Sequence, residues 1–297
     1  MQIVMTGGSR GIGAAALRHL LAVPGARILL GVRGHAPAGV TGLTLDLGSL
    51  ASVHRFAGEV VAALAGDRID VLLLNAGGQR PTADERSADG HELTFAANHL
   101  GHFLLLHLLW PHLATGARVV ITSSGTHDPA ERTGVPPPRH ANGLWLADPA
   151  QDPGRDASPI TAGMRAYAAS KLCNLMTARV AASRAAADPR GISVVAYDPG
   201  LTPGTGLPRQ QMWVVRVLLW PLLPLIVPFG KTMNSLANAG RALAELATKV
   251  RPPAGHVYTA LRKGRLTWPE PSALAREDQA CAALWRDSLA LAGLPPD

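Results

Sequence analysis

The chain has 297 residues, of which 47% are apolar and 16% charged, so it can bury a large core and lacks the composition of a disordered protein. Its formal charge of +7 is spread thinly, without a basic run, so we expect no nucleic-acid partner. The two cysteines, Cys173 and Cys281, fit a reducing compartment. No charged leader precedes the first apolar run, which favours a cytoplasmic protein over a secreted one. The excess of arginine over lysine favours a bacterial, GC-rich genome.

Short apolar strands alternate with helical stretches along most of the chain. The strand-like runs are IVMT, ARILLGV, LTLDL, DVLLLNAG, ARVVITSS and ISVVAYDPG, and helical runs such as SVHRFAGEVVAAL and RAYAASKLCNLMTARVAASRAA lie between them. This alternation predicts βαβ units and an α/β fold with a doubly wound parallel sheet, buried on both faces. No repeat or linker divides the chain, so we expect one domain, residues 1–297, with irregular segments at 125–165 and 201–235.

The first turn, TGGSRGIG (Thr6–Gly13), follows a strand and opens a helix. Glycines in such a turn let the backbone approach a pyrophosphate, and the helix N-terminus favours negative charge. A tight strand-to-helix turn also needs glycine for its own geometry. The turn alone therefore leaves cofactor binding open.

The stretch AYAASKLCN places Tyr167 and Lys171 four residues apart, on one face of a helix. An ammonium near a phenol favours the phenolate, so the pair can work as an acid or base near neutral pH. A solvated Tyr/Lys pair has the same spacing. The chain has only three tyrosines and four lysines, which makes a chance match uncommon.

Seven motifs, in order and near-spacing, resemble those of the short-chain dehydrogenase/reductases: Thr6–Gly13 as TGxxxGIG, Asp46-Leu47, Asn75-Ala76-Gly77, Asn98, Ser123-Ser124, Tyr167-x-x-x-Lys171 and Pro199-Gly200. The runs NHLGHFLL, YAASKLCNLM and PGLTPGTGL, with the tail from Gly255 to Leu294, resemble the branch of retinol dehydrogenases and light-dependent protochlorophyllide reductases. The resemblance covers nearly the whole chain. It implies a Rossmann-type fold and hydride transfer with a nicotinamide cofactor.

The resemblance also assigns catalytic roles. It makes Tyr167 the acid/base, with Lys171 lowering its pKa and binding the nicotinamide ribose. Ser124, rather than Ser123, is expected to hydrogen-bond the substrate oxygen as charge grows on it. Asn98 is expected to kink its helix and hold a water that relays protons to Lys171.

The end of the second strand predicts NADP(H) as the cofactor. NAD sites place a carboxylate there, whereas an arginine accommodates the 2′-phosphate, and here Val32 is followed by Arg33. Arg10 adds a second positive charge. Only twelve residues separate Arg33 from Asp46, too few and too glycine-rich for a helix, so we expect an open adenosine side.

The other cofactor contacts are implied by the resemblance. In the glycine turn they are Gly7, Ser9, Arg10, Gly11, Ile12 and Gly13. Asp46 and Leu47 are expected beside the adenine, and Asn75, Ala76 and Gly77 after the fourth strand. At the nicotinamide and its ribose they are Lys171, Pro199 and Gly200, with Thr202 or Thr205. Four histidines, His99, His102, His107 and His112, stand on mixed helix faces without a cysteine or carboxylate to complete a ligand set. We therefore expect no metal.

Residues 212–229, MWVVRVLLWPLLPLIVPF, form the most apolar stretch. They approach membrane-spanning length, but Arg216 and three prolines argue against a span. The resemblance places a substrate-covering lid after the Pro-Gly pair, so we interpret this segment as a lid and apolar pocket wall. Contact with a membrane or a partner stays open.

The expected substrate is therefore a bulky, apolar small molecule, and the expected activity is NADP(H)-dependent reduction of its ketone or aldehyde, or oxidation of the alcohol. One alternative is protochlorophyllide-reductase-like C=C reduction. That group carries a cysteine directly after the Pro-Gly pair, where this chain has Leu201. The other alternative is a non-catalytic dinucleotide-binding protein, which the intact catalytic set disfavours.

Overall fold

The structure, a computed structural model, describes residues 1–203 and 233–296. Thr205 and the apolar segment 212–229 lie outside the described residues, as does most of 201–235. The described residues form a sheet of eight strands in the order β3-β2-β1-β4-β5-β6-β7-β8, all parallel except β8. The strands are β1 (Gln2–Thr6), β2 (Arg27–Val32), β3 (Thr41–Thr44), β4 (Ile69–Leu74), β5 (Leu113–Thr122), β6 (Ser193–Asp198), β7 (Tyr258–Arg262) and β8 (Arg265–Thr267).

The described helices are α1 (Gly11–Leu21), α2 (Leu50–Leu64), α3 (Leu93–Phe95), α4 (Gly101–Leu109), α5 (Gly143–Ala147), α6 (Pro159–Ala187), α7 (Leu236–Thr248), α8 (Ala273–Arg276) and α9 (Asp278–Leu291). One apolar layer joins α1 and α7 to one face of the sheet, and a second joins α2, α4, α6 and α9 to the other. Consecutive strand residues alternate between the layers: Val4 belongs to one, Ile3 and Met5 to the other. Burial on both faces explains the continuous apolar runs, and the predicted doubly wound fold is confirmed.

The strand order reverses between β1 and β4, since β2 and β3 lie on one side of β1 and the remaining strands on the other. In open α/β sheets, ligands bind in the crevice beyond the carboxyl ends of the strands at this switch point. Two of the motifs, the glycine turn and Asn75-Ala76-Gly77, follow β1 and β4 directly. The topology therefore brings them together.

The connection from β2 to β3 contains no helix, as its length predicted. Residues 33–40 turn directly back, and β3 pairs with β2 in parallel from Leu29↔Thr41 to Val32↔Thr44. The predicted strand LTLDL is shifted: the observed one ends at Thr44, before Asp46. The short connection sets this register, because β3 has to begin beside β2 as soon as the turn ends.

Helix α6 is longer than the sequence pattern indicated. It begins at Pro159 rather than near Arg165, with the Ser158 hydroxyl accepting a hydrogen bond from the Thr161 amide. Proline is favoured in the first turn of a helix, and serine is favoured before it. Tyr167 and Lys171 therefore lie inside a regular helix. Within the described ranges, no helix is long and apolar enough to cross a membrane.

Candidate active site

The glycine-rich turn packs directly against the turn that follows β4. Gly7 has a φ of +71°, and a Cβ at Gly13 would lie 1.9 Å from the Gly7 carbonyl oxygen, so neither position accepts a side chain without movement. The Asn75 amide side chain donates to the same oxygen at 3.1 Å. The Thr6 hydroxyl accepts from the backbone amides of Asn75 and Ala76, both at 3.0 Å. These bonds fix the two turns as one unit.

The start of α1 fits a phosphate group. Its N-cap residue is Arg10, and no side chain caps its first amides. Uncapped amides and the helix dipole favour an anion at this end. The predicted contacts lie around it: Ser9 and Arg10 are exposed, and Gly11 and Ile12 are half-buried. The chain can thus hold a pyrophosphate here with backbone groups.

The predicted acid/base pair is buried on α6. Tyr167 is 9% exposed and Lys171 is 3% exposed. The Lys171 Nζ lies 5.8 Å from the centre of the Tyr167 ring and donates to the Thr122 carbonyl oxygen at 3.1 Å. The carbonyl at the end of β5 therefore fixes the ammonium beside the phenol, and Gly77 lies next to the same ammonium.

The pKa of Tyr167 moves opposite to the expectation. Burial raises it to about 12, against a lowering by the hydrogen bond with the Ser124 side chain, and the charge of Asp198 raises it further. Burial also lowers the pKa of Lys171 to about 8. Taking the phenolate out of water is thus the largest effect, and the phenol is protonated at neutral pH.

The two adjacent serines have different surroundings. The Ser123 hydroxyl is buried and donates to the Lys171 carbonyl oxygen at 2.8 Å, so it braces α6 against β5. Ser124 is half-buried, hydrogen-bonds Tyr167, and accepts from the Thr126 amide at 3.3 Å. The His127 ring lies 2.7 Å from the Ser124 carbonyl oxygen through Nδ1 and holds its backbone. Of the two, Ser124 is placed to meet a substrate oxygen beside Tyr167.

Asn98 lies on a π-helical turn, Ala96–Leu100, between α3 and α4, and such turns are a common cause of helix kinks. Its side-chain amide pairs with the Gly78 backbone in both directions, at 2.8 and 2.9 Å, and donates to the Ser170 hydroxyl at 3.0 Å. The side chain therefore joins the β4 turn to α6. The water relay to Lys171 stays a prediction.

Sequence reasoning missed the role of His102, which it considered only as a metal ligand. The buried ring lies 2.9 Å from the Thr6 hydroxyl through Nε2 and 3.0 Å from the Asn98 carbonyl oxygen through Nδ1. The carbonyl needs a donor, so Nδ1 carries the proton and Nε2 accepts from Thr6. Burial lowers the pKa of His102 to about 4, so the ring is neutral. The four-residue spacing in NHLGH was the available signal.

Two other histidines of this region, His99 and His107, lie within hydrogen-bond distance of protein groups. His99 lies 2.9 Å from the Ser288 hydroxyl, and His107 lies 2.9 Å from the Phe103 carbonyl oxygen. Among the residues that the structure describes, no group of three potential ligands could hold a metal.

The residues predicted to lie beside the adenosine are largely open to solvent. Arg10, Arg33 and Asp46 are all exposed, and Leu47 is half-buried. One Asp46 carboxylate oxygen accepts from the Gly48 amide at 3.0 Å. The guanidinium of Arg33 thus stands at the end of β2 with free access from solvent.

Pro199 and Gly200, the predicted nicotinamide contacts, follow β6 directly. The Thr202 hydroxyl is 4% exposed and donates back to the carbonyl oxygens of Pro199 and Gly200, at 3.3 and 3.1 Å. Asp198, which sequence reasoning did not select, is 1% exposed and accepts from the Gly200 amide at 2.9 Å. Thr202 thus braces the turn, while its rival Thr205 lies outside the described residues.

Comparisons with known proteins now decide the family. A family model described as short chain dehydrogenase matches residues 1–134. The short-chain dehydrogenase iccH of Talaromyces variabilis is 30% identical over 98% of this chain and 95% of its own length. The chain belongs to the short-chain dehydrogenase/reductase family. A protochlorophyllide reductase of Chlamydomonas reinhardtii is 31% identical (98% of this chain, 77% of that protein), and the Bos taurus dehydrogenase/reductase SDR family member 13 is 32% identical (99% and 73%).

Solved structures share the fold. An uncharacterized protein from Mycobacterium paratuberculosis is 27% identical with a TM-score of 0.71, over 99% of this chain and 93% of that one. A carbonyl reductase from chicken fatty liver, solved with NADPH bound, is 17% identical with a TM-score of 0.56 (84% and 92%). The Rossmann-type fold and the predicted family are confirmed.

Proposed function

We propose that the chain is an NADP(H)-dependent oxidoreductase that reduces a ketone or aldehyde on a bulky, apolar substrate, or oxidises the corresponding alcohol. The observation that carries this proposal is the assembly of Tyr167, Ser124 and Lys171 beside the crevice at the switch point. Tyr167 and Lys171 come from α6, and Ser124 follows the end of β5. Lys171 lies next to Gly77, in the turn that packs against the glycine-rich turn before α1.

The chemistry follows from the surroundings of each group. A nicotinamide cofactor, when bound, would supply the hydride, and negative charge would then develop on the substrate oxygen. The Ser124 hydroxyl hydrogen-bonds that oxygen, and the Tyr167 phenol, protonated at neutral pH because of its raised pKa, gives it a proton. Lys171, held by the Thr122 carbonyl, adds positive charge beside the phenol as the proton leaves. The protonated phenol is the form that gives a proton during reduction.

Charge supports NADP(H) over NAD(H). Arg33 stands exposed at the end of β2, Arg10 is exposed at the start of α1, and neither Val32 nor Gly34 offers a carboxylate. Guanidinium groups bind phosphate through charge-assisted hydrogen bonds. A 2′-phosphate on the adenosine ribose therefore gains contacts that a free hydroxyl does not.

Apolar side chains near the acid/base pair support an apolar substrate. Ile160 lies seven residues before Tyr167, on the same face of α6, and it is 54% exposed. Met164 lies between them and is half-buried. Leu201, directly after the Pro199–Gly200 turn, is 46% exposed. Exposed apolar side chains on the segments that carry a polar site suit the binding of an apolar substrate.

Protochlorophyllide-type reduction is the alternative that the relatives bring forward. Leu201 occupies the position where that group carries a cysteine, and its aliphatic side chain cannot donate a proton. The Ser124–Tyr167 arrangement, in contrast, suits a carbonyl oxygen. A carbonyl is therefore the substrate group that the site fits better.

The test is a screen of apolar ketones and aldehydes against NADPH and NADH, in the dark, followed by the fall in nicotinamide absorbance. We expect NADPH to be consumed with at least one polycyclic, isoprenoid or polyketide carbonyl, and NADH to be consumed much more slowly. Turnover that requires light, or no consumption with any carbonyl, would contradict the proposal.

A further inference from the structure

Three charged side chains, Asp198, Arg262 and Glu131, are linked to one another beside the Pro199–Gly200 turn. Asp198 uses one carboxylate oxygen for the Gly200 amide, at 2.9 Å. Its other oxygen accepts from Arg262 Nη1 at 2.9 Å and from the Tyr258 hydroxyl at 3.3 Å. Arg262 Nη2 then donates to Glu131 at 2.6 Å. One guanidinium thus bridges two carboxylates that are far apart in sequence.

The same charges lie against the turn that carries Ser124. A Cβ at Gly125 would lie 3.1 Å from the Asp198 carboxylate and 3.7 Å from Arg262 Nη2, so the backbone of this turn packs directly against both charged groups. Glu131 closes the helical turn Pro129–Glu131 that continues this segment. The bridge therefore contacts the Ser124 turn at Gly125 and is ion-paired with Glu131 on the helical turn that follows.

Burial limits the movement of the bridge formed by Asp198, Arg262 and Glu131. The side chains of Asp198, Arg262 and Glu131 are only 1%, 18% and 25% exposed. Ion pairs shielded from water are short and directional, and removing one partner leaves an uncompensated charge. Asp198 also lies within electrostatic range of Tyr167, because its charge raises the pKa of that phenol. The bridge is thus electrostatically coupled to the acid/base group through Asp198.

We propose that Arg262 is a positioning residue, which ties the Ser124 turn to the Pro199–Gly200 turn through Glu131 and Asp198. This rests on the proposed function, in which one turn holds the substrate oxygen and the other adjoins the nicotinamide. Hydride transfer requires these two groups at a fixed separation. Only a planar, forked cation spans both carboxylates, so lysine keeps the charge and loses the span.

Three variants test whether Arg262 links the two turns. Arg262→Lys keeps the positive charge beside Asp198, and Glu131→Gln keeps an acceptor and removes the charge. Arg265→Lys is the matched control, since Arg265 pairs with Arg262 across the same hairpin and is exposed. We expect kcat to fall about tenfold in Arg262→Lys and about threefold in Glu131→Gln, because small misplacements of reacting groups slow the chemical step. Arg265→Lys should stay within about twofold of wild type.

If Arg262 positions the reacting groups, its replacement should lower kcat and leave the binding of cofactor and substrate nearly unchanged. NADPH affinity and the KM for the carbonyl substrate should change less than about threefold in both bridge variants while kcat falls. Amide hydrogen exchange should quicken at residues 125–131 and at Gly200 together. Wild-type kcat in Arg262→Lys, or a loss of NADPH binding as large as the loss of kcat, would overturn the inference. If Arg262→Lys does not fold, Glu131→Gln decides by the same criteria.

The failure of the inference and the failure of the proposed function are distinguishable. An active wild-type enzyme with unaffected bridge variants contradicts the inference alone. A wild-type chain that reduces no carbonyl contradicts the proposed function. Hydrogen exchange then tests whether Arg262 links the two turns. Faster exchange at both turns in Arg262→Lys supports the tie, whereas unchanged exchange overturns it.

Discussion

The two ends of the crevice are built in different ways. At the catalytic end, Tyr167, Lys171 and Asn98 are 9%, 3% and 1% exposed, and protein groups hold each of them. At the adenosine end, Arg10 and Arg33 reach into solvent from a turn and a strand end. Groups that stabilise a transition state act best when they are fixed and dry, whereas charges that attract a phosphate can act from a flexible surface. The contrast predicts that the catalytic end sets the rate and the adenosine end sets the choice of cofactor.

Replacing Tyr167 should have the largest effect on the rate. Tyr167→Phe removes the proton donor and almost no volume, so kcat should fall by about 10²–10⁴ while NADPH affinity changes little. Steady-state NADPH oxidation gives the rate, and quenching of tryptophan fluorescence gives the affinity. A variant that keeps more than about a tenth of the wild-type rate contradicts the role of Tyr167.

The adjacent serines provide a matched pair. Ser124→Ala removes the hydrogen bond to the substrate oxygen and should lower kcat by about 10²-fold, the usual cost of losing one such donor. Ser123→Ala removes a bond to the Lys171 carbonyl oxygen, so it should lower the melting temperature and change kcat by less than about threefold. The opposite ranking in kcat would assign the substrate contact to Ser123.

Arg33→Ala tests the adenosine end. The charge-assisted contacts to a 2′-phosphate exist only with NADPH, so its Kd should rise about 10–100-fold while that of NADH stays within about twofold. High salt should weaken NADPH binding to wild type more than to the variant, because exposed charges are screened. Equal losses for both cofactors would mean that the short 33–40 connection carries Arg33 away from the phosphate.

Lys171 gives the catalytic end a pH dependence. Burial lowers its pKa from 10.5 to about 8, so the ammonium loses its proton as the pH rises through about 8. We expect kcat/KM to fall about tenfold per pH unit above that value, since the charge beside Tyr167 is lost. Tyr167, at about 12, and His102, at about 4, titrate outside this window. A profile that is flat to pH 10 would contradict the role of the ammonium.

Glu92 should affect stability rather than rate. It is 1% exposed and caps the helix leading to Asn98, by accepting from the amides of Thr94 and Phe95. Burial raises its pKa from 4.5 to about 7, so its stabilising effect is complete below pH 4.5 and is lost as the pH rises through 7. The loss amounts to about 3 kcal/mol at most. Denaturant unfolding at pH 5 and 8 should show this loss in wild type and not in Glu92→Gln; equal losses would contradict it.

The motifs that lie within one turn or one helix could be predicted from the sequence. The Tyr167/Lys171 spacing, the Thr6–Gly13 turn and the missing helix after Arg33 depend on neighbouring residues, and all are where the pattern placed them. His102 could not be assigned in this way, because its partner Thr6 is ninety-six residues away.

The same limit applies to Asp198, which meets Glu131 only through Arg262. The direction of the Tyr167 pKa was also beyond the sequence, because the cost of burying a phenolate depends on the complete fold. Expectations about Thr205 and residues 212–229 lie outside the described residues and stay predictions.

The division between the two ends is tested most directly by a double-mutant cycle of Tyr167→Phe and Arg33→Ala. Single-turnover hydride transfer at saturating NADPH gives the rate, and titration gives the NADPH Kd, for wild type and all three variants. The rate should fall only where Tyr167 is replaced, the Kd should rise only where Arg33 is replaced, and the double variant should combine both losses within about twofold. A rate loss in Arg33→Ala at saturating NADPH, or a Kd that rises in Tyr167→Phe as much as its rate falls, would contradict the account.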